Sequence, residues 1–117
     1  MVDRSTTVLD YVEDMIHAAD KIERFVEGMD REAFVAVEKT VDAVLRNLEV
    51  IGEASKLIPE PVREDHPDIP WAEMAGMRDI LIHGCATVDL DIVWTTVVED
   101  LPGLRARLIE LKEDLEQ

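Results

Sequence analysis

"DREAFVAVEKTVDAVLRNLEVIGEASKL", residues 30–57, decides the fold. Phe34, Val37, Val41, Val44, Leu45, Leu48, Ile51 and Ser55 recur at three- and four-residue steps. That spacing lines one face of an α-helix, whereas a half-buried strand would need strict alternation. Asp30 has the short polar side chain of an N-cap, and Arg31-Glu32 opens the helix behind it. The pattern therefore predicts one long helix from Arg31 to Leu57. Gly52 interrupts it at a cost of about 1 kcal/mol relative to alanine, which a close helix contact would justify.

The flanks repeat the theme. Val8, Tyr11, Val12, Met15, Ala19, Ile22 and Val26 mark a helix from Ser5 to Glu27. Ser5 or Thr6 caps its start and Gly28 suits its end. His17 falls off that stripe and is expected in solvent. "PEPVREDHPDIP", residues 59–70, places four prolines in twelve residues and must break the helical pattern. Glu60 to Asp65 has room for one short turn, and His66 before Pro67 is expected in an exposed loop. Pro70 is a good first helical residue, and "WAEMAGMRDILIH" follows as a short helix ending at Gly84. Asp89 or Asp91 caps a last helix carrying Val93, Trp94, Val97, Leu101, Leu104, Leu108, Leu111 and Leu115. Pro102 lies inside it and should kink or split it. The expected fold is all-α: a single domain over residues 1–117, an antiparallel up-and-down bundle of three long helices and one short helix.

Composition narrows the function classes. The 27 acidic and 12 basic residues give a formal charge of −15. Such a surface repels phosphate backbones and anionic membranes, so any nucleic-acid chemistry needs a local basic pocket. Solubility, a salt-adapted surface or a dedicated basic partner would each account for it. The single cysteine excludes an internal disulfide and a thiolate zinc cluster. The N-terminus lacks the basic and apolar regions of a signal peptide, and no apolar run approaches the ~20 residues of a membrane span. A cytoplasmic protein without a membrane segment is expected.

One stretch stands apart: "GMRDILIHGC", residues 76–85. Asp79 and His83, four apart, are nearly stacked on one helical face. Arg78 and His83, five apart, are separated by about 140° around the helix. One straight helix does not aim both at a single small group. Either the helix unwinds near Gly84 or a second copy of the chain completes the site across a symmetry axis. Asp79 can orient His83, His83 can act as general acid or base near neutral pH, and Arg78 offers a fork of donors to a phosphoryl group. The set suits RNA cleavage in which the 2′-hydroxyl attacks the adjacent phosphate. It has neither metal-ligand nor phosphate-loop spacing, so no metal and no cofactor is expected. The bland alternative is a helix end at which a cation meets the dipole. Trp71 and Trp94 read as core or interface anchors.

"AGMRDILIHG" and the following "VDLDIVWTTVVEDLPGL" resemble the HEPN superfamily, specifically its HepT-like ribonuclease toxins. "RNLEVIGEASKLIP" and "PDIPWAEMAGMRD" match upstream, so the resemblance covers about residues 5–112. It implies a helical-bundle homodimer with two R-x4-H motifs facing each other across a shared cleft. It also implies a metal-independent endoribonuclease acting on RNA, paired with a minimal nucleotidyltransferase as antitoxin. Arg78 and His83 would then be the catalytic pair, with Asp79 in the polar position after the arginine. One residue departs from the pattern. Many relatives have a tyrosine two residues after the histidine, and their partner silences them by adding AMP to it. Cys85 stands there in this chain and cannot be the same hydroxyl acceptor. The competing expectation is a non-catalytic subunit of a nucleotidyltransferase complex that binds nucleotide or a partner.

Overall fold

The computed structural model describes residues 4–83 and 88–117, with side chains described for residues 7–77 and 88–117. Helix α1 runs from Arg4 to Phe25 and buries Val8, Val12, Met15, Ala19 and Ile22 in the core. His17 lies on its exposed side, as its place off the apolar stripe predicts. Gly28 follows with φ 76°, a left-handed conformation that glycine adopts without steric cost.

The long helix expected over residues 31–57 is two helices. α2 covers Arg31–Ala36 and α3 covers Glu38–Lys56. Val37 separates them in an extended conformation, φ −107° and ψ 92°, and its N–H donates to the Phe34 carbonyl at 3.2 Å. The break needs no glycine or proline, because β-branched Val35 and Val37 adopt extended backbone readily. It frees α2 to turn Phe34 fully into the core. There the Phe34 ring meets Trp94 with centroids 5.2 Å apart. Val37, which the periodicity places on the buried stripe, is instead 40% exposed. Asp30 is the N-cap, accepting from the Ala33 N–H at 2.8 Å. Asp30→Ala is expected to lower stability by about 1 kcal/mol in urea unfolding, whereas an unchanged midpoint would show that the cap contributes nothing.

On α3 the residues Val41, Val44, Leu48, Ile51 and Ala54 are buried, with Gly52 and Ser55 beside them. The Ser55 hydroxyl donates to the Gly52 carbonyl at 2.6 Å, which satisfies it inside the helix. The proline-rich stretch does hold one short helix, α4, at Glu60–Asp65. His66 is not the exposed loop residue expected. Its side chain is only 19% exposed and lies 3.6 Å from the Asp114 carboxylate. Its carbonyl accepts from the Trp71 indole N–H at 3.0 Å, so the loop is pinned to the start of the next helix.

α5 spans Trp71–His83. Asp89 caps α6, Leu90–Thr95, accepting from the Asp91 and Ile92 N–H groups. A π-helical turn at Thr96–Asp100 joins α6 to α7, Leu101–Leu115. Pro102 accounts for that turn. It offers no N–H to the carbonyl of Val98, and its ring would crowd that carbonyl in a regular α-helix. The widened turn, with Leu101 N–H donating to the Thr96 carbonyl five residues back, carries the helix past the proline without a break.

The result is an all-α bundle. α1 packs on α3, α3 on α5 and α7 on α1, so the order around the core is α7, α1, α3, α5. Among the described residues, twenty buried apolar side chains, from Val8 to Leu111, form one core shared by these helices and by α2 and α6. The bundle is tied at its edges by Arg31 with Asp91 and by Arg105 with Asp20. No helix among the described residues is long and apolar enough to cross a membrane.

Candidate active site on the last turns of α5

α5 brings the sequence motif to the end of a helix. Arg78, Asp79 and His83 all fall within its last six residues, and the α-helical backbone continues through His83. The backbone does not unwind before the histidine, so it does not itself bring the two positions onto one side. On a continuous helix the Asp79 and His83 positions stay about 40° apart, while Arg78 and His83 remain about 140° apart. Cys85, singled out in the sequence as a departure from the family pattern, lies outside the described residues, as does Gly84.

The start of the same helix is fixed firmly. Pro70 precedes it, Ile69 and Met74 are buried, and Trp71 is held by its indole hydrogen bond to the His66 carbonyl. The backbone that carries Arg78 and His83 is thus braced at its N-terminal end and packed along α3. Trp94 is half-buried against Phe34, which makes it a core anchor as expected.

Two features were not singled out from the sequence. A groove of about 440 Å³ opens between α5, the π turn and α7, on the side of the bundle where α5 faces α7. Its near wall is Pro70 with Glu73, Met74 and Met77 of α5, its far wall includes Thr96, Glu99, Asp100, Leu101 and Leu104, and Leu48 and Ile51 lie beneath. The second feature is a shallow polar surface where Asp20, Glu23 and Arg24 of α1 meet Arg105 of α7. Hydrogen bonding and charge attraction from Asp20 raise the Arg105 guanidinium above its ordinary pKa, so Arg105 is a fixed cation engaged in an ion pair. The helical spacing 70, 73, 74, 77 is visible in the sequence, but nothing in one sequence shows which helix lies opposite.

Residues 15–111 match the family model described as "Ribonuclease HepT-like", and the chain is a member of that HepT-like family within the HEPN superfamily. It is 47% identical over 104 residues to a protein named "Probable ribonuclease HepT" from Thermococcus cleftensis, covering 89% of this chain and 94% of that one. A relative from Methanocaldococcus jannaschii that carries a provisional RNase name is 41% identical over 107 residues, 92% of each chain. Another with such a name, from Caldanaerobacter subterraneus, is 38% identical over 101 residues. No solved structure matches the chain.

Proposed function

We propose that this protein is a metal-independent endoribonuclease whose cutting site is completed by a second copy of the chain. That it is a ribonuclease of the HepT-like family rests on the family match and on relatives of nearly full length. The observation that carries the finer reading is the uninterrupted helix through His83. It keeps Arg78 and His83 on different sides of one helix, so convergence on one phosphate is natural only between two helices. In the proposed reaction His83 takes the proton from the 2′-hydroxyl, and the 2′-oxygen forms a bond to phosphorus. The bond from phosphorus to the 5′-oxygen breaks, and that oxygen leaves with the proton that His83 has taken up and now returns as general acid. A 2′,3′-cyclic phosphate and a 5′-hydroxyl result. Arg78 holds the charge that builds on the non-bridging oxygens, and Asp79 orients the histidine.

The resemblance extends the proposal to a toxin held in check by a minimal nucleotidyltransferase antitoxin. Cys85 argues that the restraint here does not run through AMP addition to a tyrosine hydroxyl. Wild-type and His83→Ala proteins incubated with tRNA and mRNA in the presence of EDTA test the chemistry. Cleavage by the wild type and a loss of at least ~100-fold in the variant are expected, the usual contribution of a general acid or base. Equal cleavage by both, or none by either, overturns the proposal. The charge of −15 favours a second reading, a non-catalytic subunit that binds nucleotide or a partner. Calorimetry with a nucleotide panel separates the two, since such a binder would lose affinity on Arg78→Ala without any RNA being cut.

A further inference from the structure

The described residues that line the groove between α5 and α7 take no part in the proposed cleavage chemistry, and their composition is unusual for a ligand pocket. Small-molecule sites place a few polar groups inside an apolar cavity to orient the ligand. In this groove Leu48, Ile51, Met74 and Leu101 are buried apolar residues. The acidic groups sit at the rim, where Glu73, Glu99 and Asp100 are all exposed. Among the described residues that line it, Arg107 is the single cation, and its Nε lies 3.4 Å from the Asp68 carboxylate. The rim is therefore negative on balance, within a chain of net charge −15. Met74 and Met77 add flexible, polarizable side chains of the kind that adapt to a packed partner.

We infer that this groove docks a basic amphipathic helix of a partner protein. One stripe of apolar side chains would enter between α5 and the π turn, while flanking lysines or arginines meet Glu73, Glu99 and Asp100. The volume admits several side chains, not a helix sunk to its axis, which is the arrangement of a helix laid along a groove. An RNA strand is disfavoured by the same carboxylates, and a second copy meeting this groove with its own acidic rim would bring like charge against like. Among the described residues the groove's α5 wall reaches Met77, next in sequence to Arg78, so an occupant would lie beside the motif. The docking itself does not depend on the cleavage chemistry.

The test uses the full chain and an idealised leucine/lysine amphipathic helical peptide, with its leucine/glutamate counterpart as control, by calorimetry. One-to-one binding of the lysine peptide alone is expected. Glu99→Lys with Asp100→Lys should weaken it at least tenfold, and Leu104→Asn should weaken it separately. Asp10→Lys with Asp14→Lys on exposed α1 changes the net charge equally and should cost less than twofold. No binding, equal losses from the two charge reversals, or binding indifferent to Leu104→Asn would overturn the inference. So would self-association of the wild type that disappears in the Glu99→Lys/Asp100→Lys protein, which would assign the groove to a second copy. Far-ultraviolet circular dichroism and a melting curve on each variant ensure that a loss is read on folded protein.

Discussion

Arg78→Ala and His83→Ala proteins, each inactive alone, are expected to regain about a quarter of wild-type RNA cleavage when unfolded and refolded together. The figure follows from symmetry. Random pairing makes half the dimers mixed, and each mixed dimer holds one site with both residues intact and one with neither. The premise is the helix that continues through His83, which separates the two positions by about 140° within one chain. The two single variants should show the same hydrodynamic size as the wild type, measured by light scattering on the samples assayed. No recovery in the mixture, with dimers present, would place both residues of a site on one chain and remove the reason for a shared cleft.

Phe34→Ala is expected to be the most damaging of the core truncations, lowering stability by about 3–5 kcal/mol. Phe34 is fully buried and stacks obliquely on Trp94. It is also the one fully buried side chain of α2, a six-residue helix too short to hold itself in water. Removing the ring withdraws the apolar anchor that seats α2 beside α6, and the exposed Arg31–Asp91 pair contributes little in its place. A fall in melting temperature of roughly 10–25 °C is the corresponding calorimetric result. Val35→Ala next door, at 39% exposure, should move stability by no more than about 0.5 kcal/mol. A Phe34→Ala protein within 1 kcal/mol of wild type would show that α2 is held by something else.

The helical class and most helix ends were legible because they depend on local chemistry. Asp30 and Asp89 cap where short polar side chains preceding apolar stripes should, and Glu60–Asp65 forms the one turn that the prolines leave room for. The split at Val37 was not legible, because no breaker residue marks it. The gain that drives it is tertiary: Phe34 reaching Trp94, sixty residues away in sequence. His66 was misplaced for the same reason, since its contact with Asp114 comes from the far end of the chain. At the site, the motif and its helix could be read in full from residues 76–83. The convergence proposed for it could not, since a shared cleft would draw on a second helix which one chain does not contain. The α5–α7 groove escaped notice because each of its walls looks like an ordinary amphipathic face.

The π turn at Thr96–Asp100 has one more consequence. Val93 and Leu101 are both buried, yet eight residues of regular α-helix would leave them about 80° apart. A turn that takes more residues to close absorbs most of that offset, so α6 and α7 meet the core in phase. The stretch therefore works as a vernier: one surplus residue sets the rotation of the whole C-terminal helix. It also sets the heading of Glu99 and Asp100, because the residues that correct the phase are the ones that carry the charge.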